Sequence, residues 1–304
     1  MGTRGRPALA LVLALVLSLP GSGAAAGDSA SLRWFIQHAP PHFSYLPGPV
    51  PNSPRELAGG ESAGFLRLLS EQLPQYHHQF FDASLPRYEA MLKSGETLCS
   101  VLHKRTPERL RDRYFTPLFP WQTSHQLHLV LRRDTLPLLA DLGRPVSLAA
   151  VLARQDLRGL LMRDRSYDAT IDRLLLEAGA AAPPRMVAGR AGNLLSMLRA
   201  KRMDYTLEFR ASLDEYVNNE AGADLVALPL AEVGGPPLSY ASCSRNPAGR
   251  QRIEAIDEAV RRLAREPQRE AWIRRWRHET QDPQDRQRLL RYLDERARSG
   301  PQIE

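Results

Sequence analysis

Leu32 to Gln37 is a short apolar run with two aromatic residues, the pattern of a strand. It stops at His38-Ala39-Pro40-Pro41, where two prolines force a loop. Pro47 to Gly60 is rich in proline, glycine and serine and reads as a surface excursion. Phe65, Leu66, Leu68, Leu69 and Leu73 then share one face of a helix opening at Glu61. Tyr76 to Phe81 predicts a second strand, Leu85 to Lys93 a helix ending at Ser94-Gly95, and Leu98 to Leu102 a third strand. Strands alternating with helices predict a layered α/β domain.

The alternation resumes beyond Pro117 to Gln122, which reads as a crossing. Gln126 to Leu131 is a strand, Ser147 caps a helix through Ala153, and Leu157 to Met162 is a strand leading to a helix through Leu176. Ala178 to Pro184 is a linker of alanine, glycine and proline. Met186 to Ala188 reads as a strand, Asn193 to Lys201 as a helix, Arg202 to Glu208 as the way into another strand, and Asp224 to Leu228 as one more. Leu238 to Ser242 is a second crossing. The rest is helical, with apolar patches at Ile253, Ile256, Val260 and Leu263, at Trp272, Ile273 and Trp276, and at Leu289, Leu290 and Leu293.

The first residues stand apart from this pattern. Arg4 and Arg6 precede an apolar run from Ala8 to Leu19, and small residues follow to Ala26. That is the pattern of a secretory signal peptide over residues 1–26, with cleavage near Ala26 and export of the mature chain. No later run approaches the ~20 apolar residues of a membrane span, so the mature chain is not expected to be membrane-embedded.

Export bears on the cysteines, of which there are two, Cys99 and Cys243. In an oxidising compartment such a pair is expected to be bridged, the alternative being two buried thiols. Two cysteines do not make a zinc site, and the adjacent His77 and His78 would face opposite sides of a strand, so no metal is expected.

With 304 residues, 43% hydrophobic and 25% charged, the chain has the composition of an ordinary globular protein of one large domain or two lobes. The net charge of +7 does not point to nucleic acid, because basic and acidic residues interleave, as in Arg261-Arg262-Leu263-Ala264-Arg265-Glu266.

The stretch carrying chemistry is Lys104 to Trp121. Thr106 and Pro107 suit a turn, Arg109 follows, and Phe115-Thr116-Pro117 enters the crossing. This resembles the T-x-E-R-x5-F-[ST]-x-P pattern of periplasmic solute-binding proteins of the polar-amino-acid type, although Pro117 stands one place early. His38-Ala39-Pro40-Pro41-His42-Phe43 is similar to that family's first ligand loop, and Gly60 to Phe65 to its G-x-x-x-G-F segment. The resemblance implies a bilobal type II clamp with two hinge crossings. Lobe 1 would comprise residues 27–121 and 240–304, the latter including the C-terminal helices, and lobe 2 residues 122–239.

The resemblance further implies that Arg109 forks onto a ligand carboxylate, the task a planar guanidinium suits best. It places His38, with Phe43 as second candidate, where an aromatic ring stacks on the ligand. Ser166 supplies a hydroxyl at the mouth of a capped helix, with Arg165 where the family has glycine. The family's ammonium-binding acid falls on Phe209, and Glu208 sits one place early. A one-residue shift reverses the face of a strand. Either the strand carries a bulge, or the ammonium partner is missing, or the ligand is not a standard α-amino acid. The expected function is capture of a small carboxylated, amino-acid-like solute by a monomer without cofactor, for delivery to an ABC transporter permease. The alternatives are a sensory or accessory binding protein, and a dehydratase-like enzyme with Glu208 or His38 as acid or base.

Overall fold

The computed structural model describes residues 1–2, 31–46, 48–163, 165–187, 192–220, 224–277 and 282–304. The expected signal peptide lies, from residue 3 onward, outside the described residues. The strands are β1 Ser31–Ile36, β2 His77–Asp82, β3 Cys99–Ser100, β4 Arg113–Pro120, β5 Leu127–Arg132, β6 Leu161–Met162, β7 Arg185–Met186, β8 Tyr205–Phe209, β9 Leu225–Pro229 and β10 Leu238–Ser244. The helices are α1 Glu61–Glu71, α2 Leu85–Lys93, α3 Leu148–Leu152, α4 Ala169–Glu177, α5 Gly192–Arg199, α6 Arg210–Asn219, α7 Pro247–Arg265, α8 Arg269–Arg277 and α9 Pro283–Arg298.

Two α/β lobes result, each with its own sheet and core. The first holds a five-stranded sheet of order β2-β1-β3-β10-β4, in which β1 runs parallel to β2 and β3, and β10 antiparallel to β3 and β4. Leu32, Trp34 and Ile36 alternate onto one face and pack with Phe65 and Leu69 of α1, Ile256 and Val260 of α7 and Trp272 of α8. The second holds β8-β5-β9, antiparallel throughout, and the parallel pair β6-β7. Leu129 and Leu131 of β5 enter one core with Leu207, while Val130 enters another with Leu194 and Leu213. Burial on both faces explains the consecutive apolar residues Leu129, Val130 and Leu131 in β5.

Strand β4 leads out of the first lobe and β10 returns beside it, with Pro120 opposite Leu238. β4 is an edge strand, which is where Pro117 and Pro120 can be accommodated. Its outer side is covered by Glu304, whose backbone exchanges hydrogen bonds of 3.1 and 3.0 Å with Phe115. Cys99 and Cys243 stand directly opposite each other on β3 and β10, their Cα atoms 4.1 Å apart, and are bridged. The alternative of two thiols is thereby set aside. On β2, His77 is exposed whereas His78 is buried and accepts a hydrogen bond from the Trp34 indole at 3.0 Å, the two faces that strand alternation requires.

Four stretches differ from expectation. The strands expected at Leu98 to Leu102 and Leu157 to Met162 are confined to Cys99–Ser100 and Leu161–Met162, the one expected at Met186 to Ala188 lies at Arg185–Met186, and α6 was not legible. Of the α6 residues only Ser212 and Leu213 are buried, too few to set up a helical period.

Candidate functional site

The two lobes meet around a cavity of about 180 Å³, lined from β1, the loops after β1 and β3, both crossings, the segment after β6, and the end of β8 with the start of α6. This is below the roughly 300 Å³ at which drug-sized pockets begin, and suits a small solute.

Arg109 is positioned by the turn that contains it. The Thr106 hydroxyl accepts the Arg109 backbone N–H at 3.2 Å, the capping role anticipated for it, and a 3-10 turn covers Arg109–Arg111. The guanidinium donates to the carbonyl of Lys104 at 3.1 Å and lines the cavity. Burial pulls its pKa down, and the like charge of Arg113 adds to this. Arg113 itself turns away to pair with Glu89 and Asp112, and Arg111 is exposed.

Lys104 was not singled out from sequence. Its ammonium lies 5.3 Å from the centre of the Phe209 ring across the cleft and makes no hydrogen bond or ion pair among the described residues. Burial lowers its pKa to about 8, with Asp168 pulling the other way.

The proline loop after β1 borders the cavity. His38 lines the cavity, its ring edge-on to Tyr45 at 5.1 Å. Phe43 is corrected: it is fully buried in the first core and does not reach the cavity. His42 takes that position. Its Nε2 is 2.9 Å from the Ser212 hydroxyl of the opposite lobe, and its ring meets Phe209 edge-on at 5.2 Å and His125 at 4.6 Å. Burial, then the charge of Arg165, lowers the His42 pKa to about 3. Burial, then His42 and Arg277, lowers that of His125 to about 2. Both rings are therefore neutral in this arrangement.

Gly60 explains how His42 is held. Its φ is +93°, and a Cβ there would stand 2.4 Å from the carbonyl carbon and oxygen of His42. The same carbonyl accepts the Ser62 N–H at 3.1 Å, in the first turn of α1. Only glycine permits both this φ and this approach.

On the second lobe, Asp168 rather than Ser166 caps α4, accepting the Thr170 N–H at 2.9 Å. Ser166 lines the cavity, but its hydroxyl donates to Asp172. Glu208 also lines it, and both of its oxygens are taken at 2.7 Å by the two arms of Arg165. Burial alone would lower the Arg165 pKa, but the Glu208 charge and hydrogen bonds raise it overall. Strand β8 pairs with β5 without a bulge, from Tyr205–Leu131 to Phe209–Leu127. The bulge alternative is thus excluded.

No family model matches the sequence, and no curated protein matches it. Solved structures do. A histidine kinase sensor domain with similarity to periplasmic binding proteins aligns at TM-score 0.59 and 17% identity, over 81% of this chain and 95% of its own. An ancestral arginine-binding protein bound to glutamine aligns at 0.57 and 12%, over 81% and 97%. An amino acid ABC transporter substrate-binding protein of Streptococcus pneumoniae, bound to L-arginine, aligns at 0.55 and 10%, over 82% and 93%. The fold is that of a periplasmic binding protein.

In this periplasmic-binding-protein fold the cavity gathers four of the five residues anticipated as ligand-binding: Arg109, His38, Ser166 and Glu208. It adds Lys104, His42, Trp121, His125, Arg165 and Phe209. Lys104 carried a faint signal, lying in the basic stretch that leads to Arg109. His125 carried none, because its place opposite His42 is a contact between residues far apart in the chain.

Proposed function

We propose that this protein captures a small carboxylated solute between its lobes after export to the periplasm. The observation that carries the reading is a buried cleft in which Arg109 and Lys104 line the cavity while the only lining carboxylate among the described residues, Glu208, is neutralised by Arg165. A guanidinium and an ammonium with reduced access to water bind a carboxylate by charge-assisted hydrogen bonds. The lobes close over it by bending where β4 leaves and β10 returns, near Trp121 and Leu238, and the closed form is what a membrane partner reads.

Delivery to an ABC transporter is one such reading, supported by the likeness to a transporter's substrate-binding protein. The likeness to a histidine kinase sensor domain favours a second, in which the occupied clamp is a signal. An enzymatic reading finds less support, because both oxygens of Glu208 are held by Arg165 rather than free to move a proton.

Native mass spectrometry of protein purified without refolding identifies the bound solute, and calorimetry of wild type and Arg109→Ala measures it. X-ray scattering with and without that solute should show compaction. Equal affinities for the two proteins overturn the carboxylate reading.

A further inference from the structure

We infer that the solute is an organic anion without an α-ammonium group, such as a 2-oxo or 2-hydroxy acid, rather than an α-amino acid. This rests on the carboxylate reading of the same site. Three observations support it.

First, an ammonium needs an acidic partner, and the described lining offers only Glu208. Each of its oxygens accepts from one arm of the Arg165 fork, which balances its charge, and one of them also accepts the Phe209 N–H at 2.8 Å. The acids nearby are engaged as well: Asp168 caps α4, and Asp172 accepts from the Ser166 hydroxyl and, at 3.0 Å, from the Tyr167 N–H.

Second, the aromatic face that could hold an ammonium instead is occupied. Phe209, at the position of the family's acid, has Lys104 at 5.3 Å and Arg165 at 5.1 Å from its ring centre. A third cation would meet two already there.

Third, cations outnumber acids in the described lining: Lys104, Arg109 and Arg165 stand beside one carboxylate, Glu208, while Glu61, 3.7 Å from His125, lies outside the lining. His103 is buried, stacked on Tyr88 at 4.7 Å, with neither ring nitrogen bonded among the described residues, and it lines the same cavity. A neutral imidazole has one N–H to donate, which an oxo or hydroxy oxygen accepts.

The test is calorimetry of the full mature protein with matched sets: phenylalanine, leucine, glutamate and arginine, each beside its 2-oxo and 2-hydroxy counterpart. We expect the oxo or hydroxy acid to bind about tenfold or more tightly than its amino acid in the set that fits the cavity. Arg165→Gln frees Glu208, and should weaken the anion while strengthening the amino acid. Glu208→Gln removes the one carboxylate of the described lining while its amide oxygen still accepts from Arg165, and should strengthen the anion; the wild-type comparison decides the inference whether or not either variant folds. Tighter binding of the amino acid by wild type overturns the inference and leaves the carboxylate reading standing. Binding of neither member of any set overturns both.

Discussion

The ring of His42 and the hydroxyl of Ser212 lie 2.9 Å apart and join the two lobes across the cleft. Burial, then the charge of Arg165, holds this imidazole neutral with its pKa at about 3, and burial holds that of the adjacent His125 at about 2. An open or unfolded chain returns both towards the usual value near 6.5, so that state binds more protons below pH 6.5. The closed fold is therefore fully favoured above that pH and loses stability as pH falls through it, by about 1.4 kcal/mol per pH unit for each histidine. Glu61, raised to about 7 by burial against the pull of Arg277, acts in the opposite sense between pH 4.5 and 7. We expect the histidines to outweigh it. Urea denaturation from pH 7.5 to 5.5 should show falling stability, with a shallower slope in His42→Gln. Rising stability on acidification across that range is the contrary result.

Arg109 and Arg113 are four residues apart and have separate tasks. Arg109→Ala should weaken solute binding by about two orders of magnitude, the equivalent of one buried charge-assisted contact left unmade. Arg109→Lys should fall between, since the charge stays and the fork is lost. Arg113 is 1% exposed and pairs with Glu89. Arg113→Ala should leave affinity nearly unchanged and lower stability by about 3 kcal/mol. Calorimetry and denaturation on the same samples separate the two effects, and an affinity loss confined to Arg113→Ala would reverse the assignment.

Gly60 is the seat of the His42 loop. At φ +93° and with His42 backbone 2.4 Å from its missing Cβ, Gly60→Ala must both strain its own backbone and push the loop away. We expect a loss of more than about 1 kcal/mol in stability. Binding should weaken as well, because His42 no longer meets Ser212. Full retention of affinity in a destabilised protein would show that the loop's position matters for folding alone.

The bridge between Cys99 and Cys243 spans 144 residues of sequence and encloses the whole of the second lobe. Closing so long a loop in the unfolded chain stabilises the fold by up to about 5 kcal/mol in the chain-entropy treatment. The double variant Cys99→Ser, Cys243→Ser should lower the denaturation midpoint accordingly. Reductant should have the same effect on wild type under unfolding conditions and little under native ones, since both sulfurs are buried. Identical midpoints with and without the bridge would contradict this.

What the sequence determined by itself is local. The apolar periods of Leu32 to Gln37, Glu61 to Leu73 and Gln126 to Leu131 fix strand or helix because each is a matter of which neighbouring side chains share a face. Thr106 before Arg109 and Ser147 before α3 were legible for the same reason, a cap acting within three residues. Tertiary structure decided the rest. Phe43 and His42 are adjacent, and nothing in their order says that the phenyl ring enters the core while the imidazole crosses to Ser212; the Gly60 approach, from a separate element, selects which one turns inward. Glu208 and Phe209 both line the cavity because β8 ends at the cleft, so that side chains from both of its faces border it. Whether Glu208 is free to take an ammonium depended on Arg165, 43 residues away along the chain and 2.7 Å away in space. Charge pairing of that kind is set by distance, which sequence patterns do not carry.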